Sequence, residues 1–245
     1  MQYRSILTRR VLAWAFYDWA NSAFALSVLA VLFPLFMGAY WSAGDSGAVV
    51  TARLAWVNAI ASAFICVLSP IFGTIADAGG MRKRFLFVLT LIGAAATALL
   101  GAVDEGGWAL AGLFFILGSL GYYGSTIFYD SLIIDVTKPR NYSYVSSLGF
   151  AIGYLGGAVL LTLHVVMLTN PSGWGFESAT AVIRFAFVSV GLWWACFALP
   201  LLFFVHESKS ATAVQKDVVR TAYRELRSTL RRISQYRNVV VFLIA

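Results

Sequence analysis

Residues 73–84 have the sequence GTIADAGGMRKR, and they join two long apolar runs of the chain. Asp77 ends the first run, Gly79 and Gly80 form a turn signal, and a group of three cations opens the second run. Glycine adopts turn conformations that other residues resist, and cations collect on the cytoplasmic side of membrane proteins. The stretch therefore predicts a tight cytoplasmic hairpin between two membrane-spanning helices.

The composition indicates that lipid is the solvent of this chain. Of its 245 residues 60% are hydrophobic and only 12% are charged, whereas about 25% of a soluble domain is charged. Cys66 and Cys196 lie in apolar runs, where single cysteines are packing residues and predict neither a disulfide nor a metal site. The net charge of +7 does not indicate a nucleic-acid partner, because the cations are confined to the segments between apolar runs.

Six apolar runs are long enough to cross the hydrocarbon core of a bilayer. The sequence therefore predicts an all-α integral membrane protein with a six-helix bundle over residues 1–205. Residues 206–237 predict a cytoplasmic amphipathic linker suited to an anionic membrane surface, with a plain solvated helix as the alternative. Residues 238–245 predict the truncated start of a seventh span. The six predicted spans are 12–37, 54–76, 85–103, 108–129, 146–168 and 181–205.

The placement of Lys and Arg predicts the orientation in the membrane. Every Lys and Arg except Arg53 and Arg184 falls before the first predicted span, in the second-to-third or fourth-to-fifth connection, or after the sixth. Under the positive-inside rule these segments are cytoplasmic. We therefore predict a multi-pass protein with a cytoplasmic N-terminus, in the plasma membrane if the chain is bacterial.

Polar side chains inside four of the spans predict a cavity for a solute or an ion. A charged residue within a span is costly and usually functional, and Asp18 shares one face of the first helix with Asn21 by the three-residue rule. Asp18 is suited to bind a proton, a coupling cation such as H⁺ or Na⁺, or a substrate ammonium; a structural cap is the alternative. The predicted cavity residues are Tyr17, Asp18, Asn21, Asn58, Tyr122, Tyr123 and Thr126.

The hairpin also predicts a gate. We expect Arg82 to pair with Asp130 at the inner end of the fourth span, so that the pair holds one conformation and opens in another; the alternative is that the cations only set topology. Asp77 ends a helix whose dipole disfavours an anion, so it needs a compensating partner. The predicted gate residues are Gly73, Asp77, Gly80, Arg82, Lys83, Arg84 and Asp130.

Three glycines spaced by four in the fifth span, Gly149, Gly153 and Gly157, predict a flat ridge on which another helix packs closely. His164 in the same span is expected near the outer end, reaching toward the headgroups, with a proton relay as the alternative. The third and sixth spans lack comparable polar sets and are predicted to face lipid outside the cavity.

The motifs of this chain resemble those of a known transporter superfamily. Gly73, Asp77, Gly80 and the basic cluster resemble the loop signature of the major facilitator superfamily, although Ala78 stands where an Arg is usual. AFYDWANSAF at 15–24 and GFAIGYLGG at 149–157 resemble its vacuole-effluxer-like branch, relatives of a fungal autophagy-related vacuolar amino-acid exporter. The resemblance implies the N-terminal half of a twelve-helix fold, alternating access against a C-terminal half, and export of neutral or hydrophobic amino acids.

The sequence thus favours a secondary active transporter that exports small organic solutes such as amino acids. Its expected partners are the bilayer, the solute and a C-terminal six-helix half; we expect no cofactor and no nucleic acid. A membrane scaffold or sensor that retains the fold is the alternative. An intramembrane enzyme is disfavoured, because neither HExxH nor GxSxG occurs in the chain.

Overall fold

The computed structural model describes residues 6–78 and 80–208 together with positions 220, 223, 224, 227, 228 and 231. Within this part of the chain, six helices are long and apolar enough to cross a membrane. The protein is therefore an all-α, multi-pass membrane protein, as predicted. The helices are α1 Arg9–Trp41, α2 Gly47–Ala78, α3 Arg82–Leu100, α4 Trp108–Ser131, α5 Tyr142–Thr169 and α6 Ala179–Phe204.

Each helix contains its predicted span to within a few residues, and most extend beyond it. The predicted run 12–37, for example, lies within a helix that extends from Arg9 to Trp41. Helices continue past their hydrophobic stretch because polar residues at the membrane surface are still good helix formers and caps. Thr8 caps α1 by accepting a hydrogen bond from the Val11 amide at 3.3 Å. The predicted linker 206–237 falls mostly, and the predicted seventh span 238–245 wholly, outside the described residues.

The first helix changes its winding halfway along. It is an α-helix over Arg9–Ala23, and it has π-helical winding over Phe24–Leu32 and again over Met37–Trp41. Pro34 lies between the two π segments, where a proline removes one backbone hydrogen bond from the ladder. Such π segments are frequent at functional sites. In this protein the first of them begins within three residues of Asn21.

The helices pack in the spatial order α2, α4, α3, α6, α1, α5, each against the next. Glycines permit the closest approaches: a Cβ on Gly121 of α4 would lie 2.5 Å from the Cα atom of Gly93 in α3. A Cβ on Gly191 of α6 would lie 2.5 Å from the carbonyl oxygen of Ala94 in α3. Helices α2 and α5 therefore form the two ends of this order, with α1 and α4 beside them.

The path of the chain gives the bundle two ends that differ in the residues they hold. The basic end holds the N-terminus of α1, the α2–α3 hairpin, the α4–α5 connection and the C-terminus of α6, and Arg82 lies there. The opposite end holds Arg53 and Arg184. Arg53 contacts Asp45 and Ser42 and stacks 4.5 Å over the Trp108 ring, which joins α2 to α4 at that end.

Candidate solute cavity and helix-end network

A cavity of about 410 Å³ lies between α1, α4 and α5. Helix α1 contributes Trp14, Asp18, Asn21, Ser22, Ala25 and Leu26. Helix α4 contributes Tyr122, Thr126, Tyr129 and Asp130. Helix α5 contributes Ser146, Phe150 and Tyr154. Neither α3 nor α6 contributes a lining residue, which agrees with the prediction that these two helices lie outside the cavity.

The α1 wall includes Asp18 and Asn21, which lie three residues apart and so share one helix face. The Asp18 carboxyl group lies against α5, because a Cβ on Gly153 would be 2.9 Å from its Cγ. Asn21 is only 2% exposed, and its amide oxygen has no hydrogen-bond partner among the described residues. Buried amides are usually bonded, so an unpaired one in a cavity wall is a candidate ligand group.

The α4 wall is held in place by aromatic packing. The rings of Trp14 and Tyr129 stack with centroids 4.3 Å apart and planes 12° apart. The Trp14 indole N–H also donates to the Tyr129 carbonyl at 3.0 Å. The Thr126 hydroxyl donates to the Tyr122 carbonyl at 2.8 Å, which fixes its rotamer within α4. These contacts fix the rings and hydroxyl groups that line this side of the cavity.

Two carboxylates line the cavity without a partner. Asp130, which we predicted for the gate, is exposed and lines the same space as Asp18. In the described part of the chain, neither carboxylate makes a hydrogen bond or an ion pair. Among the described residues, the structural cap that we considered for Asp18 is therefore not formed. The described residues likewise hold no group of three acidic, histidine or cysteine side chains that would bind a metal ion.

Three predicted cavity residues lie elsewhere. Tyr17 is fully buried behind the cavity wall, where its hydroxyl forms a hydrogen bond with Thr90 of α3 at 2.8 Å. Asn58 is exposed on α2 and donates to the Leu54 carbonyl of its own helix at 2.8 Å. Tyr123 is 41% exposed and packs edge-on against Tyr122 without lining the space. These three residues therefore do not line the space between α1, α4 and α5, and a role for them in solute binding stays a prediction. For Tyr17 and Tyr123 the reason is that adjacent residues on a helix point about 100° apart.

The α5 wall was missed from the sequence. Ser146, Phe150 and Tyr154 follow one another at intervals of four, which places them on a single helix face. This row runs beside the glycine ridge, so the same four-residue period that revealed Gly149, Gly153 and Gly157 was available as a signal. Trp14 was also missed, because an aromatic residue near a helix end is more often an interfacial anchor.

The glycine ridge of α5 packs on α1. A Cβ on Gly149 would lie 2.7 Å from the Trp14 ring, and one on Gly157 would lie 2.7 Å from the Ser22 carbonyl oxygen. Gly153 lies between them, against Asp18 and Ser22. Small residues at this spacing let two helix backbones approach closely, and here they bring the α5 wall of the cavity up to the α1 wall.

At the basic end, Arg82 ties together three elements. Its Nε donates to the Ala76 carbonyl of α2 at 2.7 Å, and its Nη1 donates to Asp135 Oδ2 at 2.9 Å. Asp135 lies in the short helical turn Ile133–Val136 that follows α4, and its Oδ1 accepts from the Ser208 amide at 3.2 Å. The ion pair is nearly closed to solvent, with side chains 9% and 3% exposed.

Lys83 and Glu207 add a reciprocal pair of helix caps. Glu207, just after α6, accepts from the Arg82 amide at 2.9 Å at the start of α3. Lys83 Nζ donates to the carbonyls of Leu202 and Val205 at the end of α6, at 2.7 and 2.6 Å. An anion thus meets the N-terminus of α3 and a cation meets the C-terminus of α6, as both helix dipoles favour. We call Arg82, Lys83, Asp135 and Glu207 the helix-end network.

The network differs from the predicted gate. Arg82 pairs with Asp135 and not with Asp130, because the chain continues past the end of α4 and returns an acid to the hairpin. Asp77 and Arg84 are exposed and have no hydrogen-bond or ion-pair partner within the described ranges, so the compensation expected for Asp77 is absent there.

The two glycines predicted for the gate differ in their surroundings. Gly80 has φ of +79°, as the predicted turn requires. Gly73 lies within α2, with open space where its Cβ would be.

His164 does not reach toward the headgroups. It is 1% exposed, and its Nε2 forms a hydrogen bond with Ser189 Oγ of α6 at 2.8 Å. The Ser189 hydroxyl donates to the Ala186 carbonyl at 2.9 Å, so His164 Nε2 is the donor in the shared bond. This tautomer joins α5 to α6 and lies apart from the cavity.

Comparisons with known proteins agree with this architecture. The family described as vacuole effluxer Atg22 like matches residues 46–141 and 135–245. The uncharacterized MFS-type transporter YxiO of Bacillus subtilis (strain 168) is 33% identical over 241 residues, 97% of this chain and 56% of that protein. An uncharacterized protein of Aquifex aeolicus (strain VF5) is 27% identical over 160 residues, 65% of this chain and 39% of that protein.

The chain belongs to the vacuole effluxer Atg22-like family, and its recognition as a facilitator of that branch is confirmed. It spans about half the length of the curated relatives that it matches.

Proposed function

We propose that this chain forms one half of a secondary active transporter that exports small organic solutes, such as amino acids, by alternating access. The observation that supports this most strongly is the cavity between α1, α4 and α5. It combines unpaired polar groups with aromatic walls inside a bundle of membrane-spanning helices, and intramembrane ionisable residues by default indicate a substrate or ion path. A second six-helix half would supply the facing wall.

The exposed surfaces of the chain suit such a partner. Only 11% of the most apolar 18-residue stretch of α2 is buried against the rest of the described chain, the smallest fraction among the six helices. Large side chains such as Trp56 of α2 and Leu155 of α5 are at least 60% exposed. The relatives are longer than this chain, which leaves room in them for a second half that packs on α2 and α5.

The helix-end network is our candidate for the gate. It links the ends of α2, α3 and α6 to the segment after α4 through charge-assisted hydrogen bonds, which are stronger than neutral ones. All of these elements belong to this half, so a motion that separates their ends within the half has to break the Arg82–Asp135 pair. The network therefore stabilises one of two conformations, and its acid is Asp135 rather than Asp130.

Asp18 is our candidate for the coupling site, which takes H⁺ or Na⁺. Its carboxylate has no counter-charge in the described part of the chain, so it can take up a cation without first breaking an ion pair. The basic end is proposed to be cytoplasmic, in the plasma membrane of a bacterial cell, because cations are retained on that side during insertion.

Solute counterflow in proteoliposomes tests this function. The full-length protein is reconstituted, and uptake of labelled amino acids and other small solutes is measured with and without a pH or Na⁺ gradient. We expect at least one solute to exchange and Asp18→Asn to lose the gradient dependence. Glu105→Gln, which removes a charge in the exposed loop at the opposite end, is the matched control. Absence of any exchange by a well-folded protein would favour the scaffold or sensor alternative.

A further inference from the structure

The described lining of the cavity contains two carboxylates and no Lys, Arg or His. Asp18 and Asp130 both lack a hydrogen-bond or ion-pair partner among the described residues. A solute carboxylate placed here would meet two like charges and no counter-charge, whereas a cation would meet two opposite charges. The charges of the cavity lining therefore favour a cationic solute over an anionic one.

Two deeply buried polar groups in the same wall point independently to a ligand. Asn21 is 2% exposed and Tyr129 is 3% exposed, and both line the cavity. The Asn21 amide oxygen and the Tyr129 hydroxyl have no partner in the described part of the chain. The Asn21 amide both donates and accepts and so does the Tyr129 phenol, so either side chain can form a hydrogen bond with a ligand in the cavity. An ammonium group donates up to three hydrogen bonds and accepts none.

Aromatic side chains supply the remaining wall. Phe150 and Tyr154 are 65% and 57% exposed, pack with ring centroids 5.2 Å apart, and line the cavity from α5. A cation is attracted to an aromatic face within about 6 Å, more strongly when water is excluded. The same rings can cover an apolar body attached to the cation, and a volume of about 410 Å³ suits a small organic molecule.

We propose that the cavity between α1, α4 and α5 binds a small organic cation, with its ammonium group between Asp18 and Asp130 and its apolar body against Phe150 and Tyr154. Asn21 is a specificity residue whose amide forms a hydrogen bond with the bound ligand. This inference rests on the proposed transport function. It narrows the small organic solutes to amines without a carboxylate, which replace amino acids as the expected class, and it makes the ammonium group and the coupling cation alternative occupants of Asp18. A bare metal ion does not use the aromatic wall and is a distinct outcome of the test below.

A matched set of four probes tests the inference directly. Phenylethylammonium, phenylalanine, phenylpropionate and phenylethanol share a phenyl body and differ in head group: cation, zwitterion, anion and neutral. Binding to the full-length protein in detergent is measured by calorimetry, with benzyltrimethylammonium, KCl and NaCl as further arms. We expect the ammonium probe to bind at least about tenfold more tightly than the other three, since a charge in a partly dry site needs a counter-charge.

Variants assign the binding to this cavity. Asp18→Asn and Asp130→Asn should each weaken phenylethylammonium binding by about tenfold or more, and Asn21→Leu should weaken it less. Glu105→Gln should leave it unchanged. Asp130 is exposed and unpaired, so its variant is expected to fold even if Asp18→Asn does not. The melting temperature of each variant is measured alongside.

Three results would overturn the inference. They are tighter or equal binding of phenylalanine or phenylpropionate, unchanged ammonium binding in both aspartate variants, and absence of binding by either ammonium probe at millimolar concentration. Competition by Na⁺ or K⁺ alone, without ammonium binding, would assign the carboxylates to the coupling ion and also reject it. Counterflow distinguishes failure of this inference from failure of the proposed function. If the protein exchanges a zwitterion and ammonium probes do not inhibit that exchange, the transport function stands and only the preference for cations is rejected.

Discussion

Gly153 of α5 lies directly against Asp18 of α1. A Cβ at position 153 would come within 2.9 Å of the Asp18 carboxyl carbon and 2.8 Å of Ser22 Oγ. The absence of a side chain at Gly153 thus determines where the unpaired carboxylate sits and how closely two walls of the cavity approach each other. Helix packing and the candidate binding site are therefore one structural feature in this protein.

Substitution of Gly153 by Ala should disturb both. The added methyl group has to displace α5 or the Asp18 carboxylate, and overpacking of this kind costs about 1–3 kcal/mol. We expect a lower melting temperature in detergent together with a loss of solute exchange. Gly47→Ala is the control, because nothing lies within 4 Å of its Cβ position. Equal behaviour of the two variants would show that α1 and α5 are not packed as described.

The acid that pairs with Arg82 can be identified by comparing two aspartates. Asp135→Asn removes the counter-charge of an Arg82 side chain that is only 9% exposed, so we expect a loss of about 3 kcal/mol in unfolding free energy. Asp130→Asn should change stability by less than about 0.5 kcal/mol, because that carboxylate is exposed and unpaired. Thermal unfolding of both variants measures the difference. A larger effect at Asp130 would restore the pairing that the sequence suggested.

The reciprocal caps between α3 and α6 predict different roles for two neighbouring cations. Lys83→Met leaves the Leu202 and Val205 carbonyls without their donor, which should cost about 1–2 kcal/mol. Arg84→Met removes the same charge from an exposed side chain, and the melting temperature should hardly change. If both variants melt alike, the Lys83 contacts do not contribute to the folded state.

The orientation of the bundle is testable with two single cysteines. In a background with Cys66 and Cys196 replaced by Ala, Arg84→Cys places a thiol at the basic end and Glu105→Cys places one at the opposite end. We expect an impermeant thiol reagent to label only Glu105→Cys in intact cells, and Arg84→Cys after permeabilisation. Labelling of Arg84→Cys in intact cells would invert the proposed topology.

The helices were predictable because each spans a long, mostly apolar run, and such runs show where membrane-spanning helices lie. The face shared by Asp18 and Asn21 was predictable for a similar reason, since helical periodicity is local information. Tyr17 shows where that reasoning needs more care: it is adjacent to Asp18 in sequence but points into the core toward Thr90. The shared-face rule covered Asp18 and Asn21, whereas Tyr17 was included only because it is close to them in sequence.

The Arg82–Asp135 pair was not predictable from local pattern. The two residues are 53 positions apart, and their contact depends on how the chain turns after α4. Asp130 is the acid that helix periodicity places at the end of α4, so it was the natural choice. Asp130 instead lies on the face of α4 that lines the cavity, together with Thr126 and Tyr129.

The central claim is that the solute passes through the cavity between α1, α4 and α5, and a single cysteine in its wall tests it most directly. Ser146→Cys, in the Cys66→Ala and Cys196→Ala background, places a thiol on the α5 wall. We expect a bulky thiol reagent to abolish counterflow of the solute found in the reconstitution screen, and saturating solute to slow the labelling; Glu105→Cys should label without loss of flux. Complete labelling of Ser146→Cys with unchanged flux would contradict the account.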